Sequence, residues 1–132
     1  MTKEKLIQYC DLKQEIDKLE ERINRIEKQS DFVSDVVQNG YKRHAVITGY
    51  DCNRAYKLDL LKLTLRERYD MALDLQTEIE IWINTIDKSD LRQIFEHRYI
   101  DGMNWYQVQT IMGYEHEDIA RKKHDRFLEK NS

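Results

Sequence analysis

The sequence predicts a mainly α protein: two long helices, antiparallel or paired as a coiled coil and joined by a short hairpin, then a three-helix helix-turn-helix unit. Three observations predict it. The 132 residues contain no proline and only four glycines. Charged residues make up 36% and hydrophobic residues 40%, a mixture that suits long helices with one face in water. Apolar residues also recur at alternating three- and four-residue spacing over two long stretches, and the last third carries closely spaced helix stop and start signals.

Residues 3–29 read as one helix. Tyr9, Leu12, Ile16, Leu19, Ile23 and Ile26 form a heptad seam, and Lys13, Glu15, Glu20, Arg22 and Glu27 fill other positions. Leu12, Ile16, Leu19, Ile23 and Ile26 are therefore candidate dimerisation residues. The same seam would equally serve an amphipathic helix packed within one chain. Over residues 31–53 the pattern breaks. Val33, Val36 and Val37 precede Asn39-Gly40, a strong turn signal, and Ala45, Val46 and Ile47 follow it. Thr48-Gly49 marks a second turn, so a short hairpin is expected there. Residues 54–86 read as the second helix, with Leu58, Leu61, Leu65, Ala72, Leu75, Ile79, Trp82 and Ile86 along its seam and Arg68 interrupting it. Residues 1–87 thus form a helical region with an inserted turn segment at 31–53. Asp87-Lys88 is the hinge into a second domain, 88–132.

In that domain the first helix starts with Ser89 as its expected N-cap and carries Leu91, Ile94, Phe95 and Tyr99 on one face. Asp101-Gly102 ends it, because glycine takes the left-handed cap conformation without steric cost. Asn104 caps the next helix, Gln107 stands where a capping box requires it, and Met103 and Val108 are spaced as a hydrophobic staple. That helix stops at Gly113. A third helix, about Glu115 to Leu128, would be the recognition helix. Its buried stripe is expected along 119-123-127 or 120-123-127. Both registers turn Arg121 and Lys122 outward and leave Lys123 along the core edge, its ammonium in water. From Ile119 to Leu128, Arg121, Lys122, Lys123 and Arg126 stand against Asp125, giving 4 − 1 = +3. A basic patch of this kind supplies the phosphate contacts behind most nonspecific nucleic-acid affinity. A solvated charged face on an ordinary helical domain has the same pattern.

The stretch RYIDGMNWYQVQTIMG, followed by a short helix, resembles region four of bacterial sigma factors, and the stretches IFEHRYIDGMNW and MGYEHEDIARKKHDRFLE, ending in His124-Asp125-Arg126-Phe127-Leu128, carry a closer match. They resemble more closely the small regulators of that type encoded by phages and prophages of Gram-positive bacteria, the RinA and ArpU late-gene regulators. Asn104 and Trp105 stand where the sigma pattern has serine and tyrosine, and asparagine keeps the capping chemistry. The resemblance covers roughly the last 45 residues. It implies a DNA-binding transcription regulator of late phage genes, acting in the cytoplasm of a bacterial host on double-stranded DNA, with RNA polymerase as a further partner. Candidate DNA-contacting residues are Tyr106 and Gln107 at the start of the second helix, and His116, Glu117, Arg121, Lys122, His124 and Arg126 along the third. Of Trp105 and Tyr106, one is expected in the core and the other near a DNA backbone.

The net charge of −3 excludes a generally basic nucleic-acid binder, and residues 88–132 carry eight basic and eight acidic residues. Affinity would have to come from local placement and be modest and salt-sensitive. Glu115, Glu117 and Asp118 suit the dipole at the start of the third helix but repel phosphate there. They favour the alternative of a protein-binding module that docks on polymerase or another regulator without reading DNA. Cys10 and Cys52 make no disulfide framework, and reduced thiols are expected. His44, His97, His116 and His124 form no close-spaced ligand set, so neither metal nor cofactor is expected. No glycine-rich phosphate loop or nucleophile elbow points to an enzyme. No apolar run approaches a membrane span, and a homodimer without membrane contact is the expected assembly.

Overall fold

The computed structural model describes the backbone of residues 1–39 and 44–131, and the side chains of 1–28 and 53–131. Among these residues the chain is all helix, with no strand. Its elements are α1 (Lys3–Asn39), α2 (His44–Asn84), α3 (Ser89–Phe95) continued by a π-helical turn (Glu96–Ile100), α4 (Trp105–Met112) and α5 (Glu117–Asn131).

The hairpin expected over 31–53 is absent. Helix α1 continues to Asn39 and α2 begins at His44, ten residues before the expected start; residues 40–43, with half of the Asn39-Gly40 signal, lie outside the described residues. The physical reason is visible in the spacing. Val33, Val36 and Val37 stand at i, i+3 and i+4, which is helical periodicity as much as a β-rich run. Helix α2 also runs straight through Gly49, where a turn was expected. A glycine in a helix interior costs only about 1 kcal/mol relative to alanine, too little to stop a long helix.

Two compact units divide the chain: residues 13–70, and residues 1–12 together with 71–132. In the first, α1 and α2 run antiparallel. Glu15 accepts from the Nε of Arg68 with both carboxylate oxygens (3.0 and 3.1 Å), Glu20 accepts from the Tyr69 hydroxyl, and Glu27 pairs with Lys62 at 3.1 Å. From Glu15 with Arg68 to Glu27 with Lys62 the partner number falls on α2 as it rises on α1. Arg68, which breaks the apolar seam, is answered by a carboxylate. The seam itself is closed in a single chain: Leu12, Ile16, Leu19 and Ile23 are 6–7% exposed, and Ile26 is half-buried. These candidate dimerisation residues therefore need no second copy to leave water.

In the other unit the start of α1 and the end of α2 are again antiparallel, with Lys5 against Glu78 and the Tyr9 hydroxyl donating to Gln76 Oε1 at 3.0 Å. The boundary expected at residues 87 and 88 falls inside this unit. Trp82 of α2 packs edge-on to Phe95 with ring centroids 5.0 Å apart, and lies 6.0 Å from Phe127 of α5. Arg92 donates to the carbonyls of Ile86 (2.6 Å) and Asp87 (3.1 Å), which ties down the expected hinge. Ser89 is not the N-cap of α3. Lys88 holds that position without a side-chain bond, and the Ser89 hydroxyl accepts instead from Gln93.

Candidate nucleic-acid interface

Helix α4 is fixed at both ends by local chemistry. Asn104 Oδ1 accepts from the Gln107 amide at 2.8 Å, and Gln107 Oε1 accepts from the Asn104 amide at 3.0 Å, so the expected capping box is formed. At the other end Gly113 takes φ 75°, the Tyr114 amide donates to Gln109 O at 3.0 Å, and the Gly113 amide donates to Thr110 O at 3.3 Å. That pair of bonds is a Schellman closure, and it turns the chain within three residues toward α5. Gly102 at φ 71° makes the matching turn before α4, with Arg98 donating to Met103 O at 2.8 Å. Ile94, Val108 and Ala120, all fully buried, join α3, α4 and α5 in one core, with Met103, Trp105, Met112 and Tyr114 against it.

Trp105 and Tyr106 divide as expected: Trp105 packs edge-on to His124 at 4.9 Å under the Arg98 guanidinium, while Tyr106 is exposed. Gln107 is also at the surface, but its carbonyl belongs to the cap. Helix α5 starts at Glu117 rather than Glu115 and runs on to Asn131. Its buried stripe is Ala120, His124 and Leu128, flanked by half-buried Ile119, Lys123 and Phe127, which differs from both expected registers.

His124 is the main correction to the candidate residues. It is buried, 4% exposed, and presents no surface to a nucleic acid. Its Nδ1 lies 2.8 Å from Asp125 Oδ1 and its Nε2 lies 2.6 Å from the Tyr99 hydroxyl. A carboxylate only accepts, so Nδ1 carries the proton, the neutral ring accepts at Nε2, and Tyr99 donates. Burial pushes the His124 pKa below its ordinary value, and the Asp125 hydrogen bond only partly offsets this. Burial also raises the pKa of Tyr99, which keeps it a donor. With the folded pKa depressed below that of the unfolded chain, the unfolded state binds more protons in mild acid. Stability from this site is complete above about pH 6.5 and is lost as the pH falls toward the folded value. Urea unfolding between neutral pH and about pH 5 should show that loss, and His124→Gln should flatten it. An unchanged slope in that variant would assign the acid sensitivity elsewhere.

Lys123 also departs from expectation. Its ammonium does not stand in water alone but bonds Asp90 Oδ2 at 3.1 Å and the Tyr114 hydroxyl at 3.3 Å, linking α5 to α3. The hydrogen bond from Lys123 lowers the Asp90 pKa, and the one to Asp90 raises that of Lys123. Both groups are about 40% exposed, so the pair contributes little to stability.

His116, Glu117, Arg121, Lys122 and Arg126 are all exposed. Arg121 is paired with Asp118 at 2.7 Å, which offsets its charge locally. Arg126 lies on an open cleft of about 450 Å³ between α5 and the α2–α3 connection, with Lys88 and Lys130 beside it. The sequence reading missed Lys130 because it stopped the helix at Leu128, and Lys88 because only the packing of α5 brings it close. The available signal was the repeat of Lys122, Arg126 and Lys130 at i, i+4 and i+8. Among the described residues no cluster of histidine, cysteine or carboxylate side chains is arranged to hold a metal ion, and no helix is long and apolar enough to cross a membrane. No protein-family model, curated protein or solved structure matches the chain.

Proposed function

We propose that α4, the Gly113 turn and α5 act as a helix-turn-helix that binds double-stranded DNA, in a phage-type transcription regulator acting on late-gene promoters. One observation carries this reading: α4 is capped at both ends and packed against α5, so that Arg121, Lys122 and Arg126 stand exposed on a helix whose other face is buried. Such an arrangement suits a helix laid in a groove, with cations toward phosphate and side chains toward base edges. The late-gene assignment rests on the resemblance of the last 45 or so residues to the phage regulators.

Arg121→Ala and Lys122→Ala remove exposed side chains, so helicity and melting should stay unchanged. Each is expected to weaken duplex binding in a fluorescence titration. Loss of a phosphate contact should lower the salt slope by about one, whereas loss of a base contact should cost about 1–3 kcal/mol and relax specificity at one position. Glu117→Gln should strengthen nonspecific binding by removing a repelling charge. Equal binding by wild type and both alanine variants would remove α5 from the interface.

A second reading has its own observation. Glu115, Glu117 and Asp118 are exposed at the start of α5, and Tyr106 and Ile111 are exposed on α4. An acidic and apolar surface of this kind suits docking on a protein such as RNA polymerase without DNA readout.

A further inference from the structure

The exposed cations of α5 follow one row of the helix. Lys122, Arg126 and Lys130 repeat every four residues and are all exposed. Arg126 and Lys130 share their cleft with Lys88, which lies across it on the α2–α3 connection, and with Asp87 and Asp90, of which Asp90 is held by Lys123. On the same row Asp118 precedes Lys122 by one turn, and Asp125 and Glu129, one turn apart, border a hollow that also holds Lys3 and Glu4. Ion pairing tells the cations apart. Arg121 is held by Asp118 and Lys123 by Asp90, whereas Lys88, Lys122, Arg126 and Lys130 make no ion pair among the described residues.

From this row of cations without ion pairs we infer that a phosphodiester strand runs along the Lys122–Arg126–Lys130 side of α5 and ends in the cleft at Lys88. The inference rests on the DNA-binding reading above and moves its electrostatic anchor. The anchor is the C-terminal half of α5 together with the connection before α3, away from the acidic first turn. The spacing fits. Four residues of helix rise about 6 Å, so Lys122 to Lys130 covers about 12 Å, the axial length of three to four phosphates of one strand at roughly 3.4 Å each. A rigid row of cations matches a regularly charged polymer better than it matches a peptide with scattered acids.

The test is a fluorescence titration of duplex DNA with the full chain across a range of salt. The triple variant Lys88→Gln, Arg126→Gln, Lys130→Gln should lower the slope of log affinity against log salt by about 2.7, near 0.9 for each lost contact. Lys88→Arg with Lys130→Arg keeps the charges and should keep the wild-type slope, which separates loss of charge from damage to the fold. Glu129→Gln should change the slope little. Wild-type binding with an unchanged slope in the triple variant would overturn this inference and leave the DNA reading standing. A slope lost equally in the arginine variant would also overturn it. Absence of wild-type binding would overturn both.

Discussion

Phe95→Ala is expected to destabilise the unit containing α3, α4 and α5 by about 3–5 kcal/mol, the range for removing a fully buried aromatic ring. Phe95 is 0% exposed and is the hub of the aromatic cluster. Its centroid lies 4.9 Å from His124, 5.0 Å from Trp82, 5.6 Å from Phe127 and 6.0 Å from Tyr99. It thus touches α2, α5 and its own helix at once, and neighbouring rings cannot all move to refill the space. Typical domains are stable by only about 5–15 kcal/mol, so a loss of this size moves much of the unfolding curve. Urea unfolding followed by circular dichroism would measure it. A loss below about 1 kcal/mol would mean the cluster is loosely packed.

Ile16→Asp should have a comparable effect on the unit formed by residues 13–70. It removes a buried side chain, 7% exposed, and places a carboxylate in the apolar seam. Lost burial and desolvation together are expected to cost about 3 kcal/mol or more. The variant also tests how the seam is covered. Because Ile16 is buried within a single chain, its loss of helicity should not depend on protein concentration. Melting measured over a hundredfold range of concentration would check this, and a strong dependence would show that a second copy covers the seam.

The parts of this fold that the sequence made legible are those decided locally. The seam from Leu12 to Ile23 is a matter of periodicity, and it is the buried side of α1. The capping box at Asn104 and the left-handed glycines at 102 and 113 depend on a few neighbouring residues, and they stand where expected. The misreadings have physical causes. Over residues 31–53, β-branched residues and two glycines suggested turns, yet valines at helical spacing permit helix equally well. Nothing near His124 in sequence marks it as buried. The Asp125 carboxylate and the Tyr99 hydroxyl, the latter 25 residues away in sequence, together make it a satisfied buried group. Lys123 and Arg121 counted equally in a sum of charges, but Asp90 and Asp118 occupy them. Which cations stay available is set by tertiary placement, and Lys88 joins Arg126 and Lys130 only once α5 lies against the α2–α3 connection.

The central claim is that the exposed side of α5 engages duplex DNA, and the most direct test is the salt dependence of wild-type binding. A labelled duplex titrated with the full chain between about 50 and 200 mM salt should show saturable binding. Affinity should fall steeply over that range, with a log–log slope of about −3 to −4 if Lys88, Lys122, Arg126 and Lys130 each meet a phosphate. No saturable binding at the lowest salt, or an affinity unmoved by salt, would contradict the account and leave protein docking as the function of this surface.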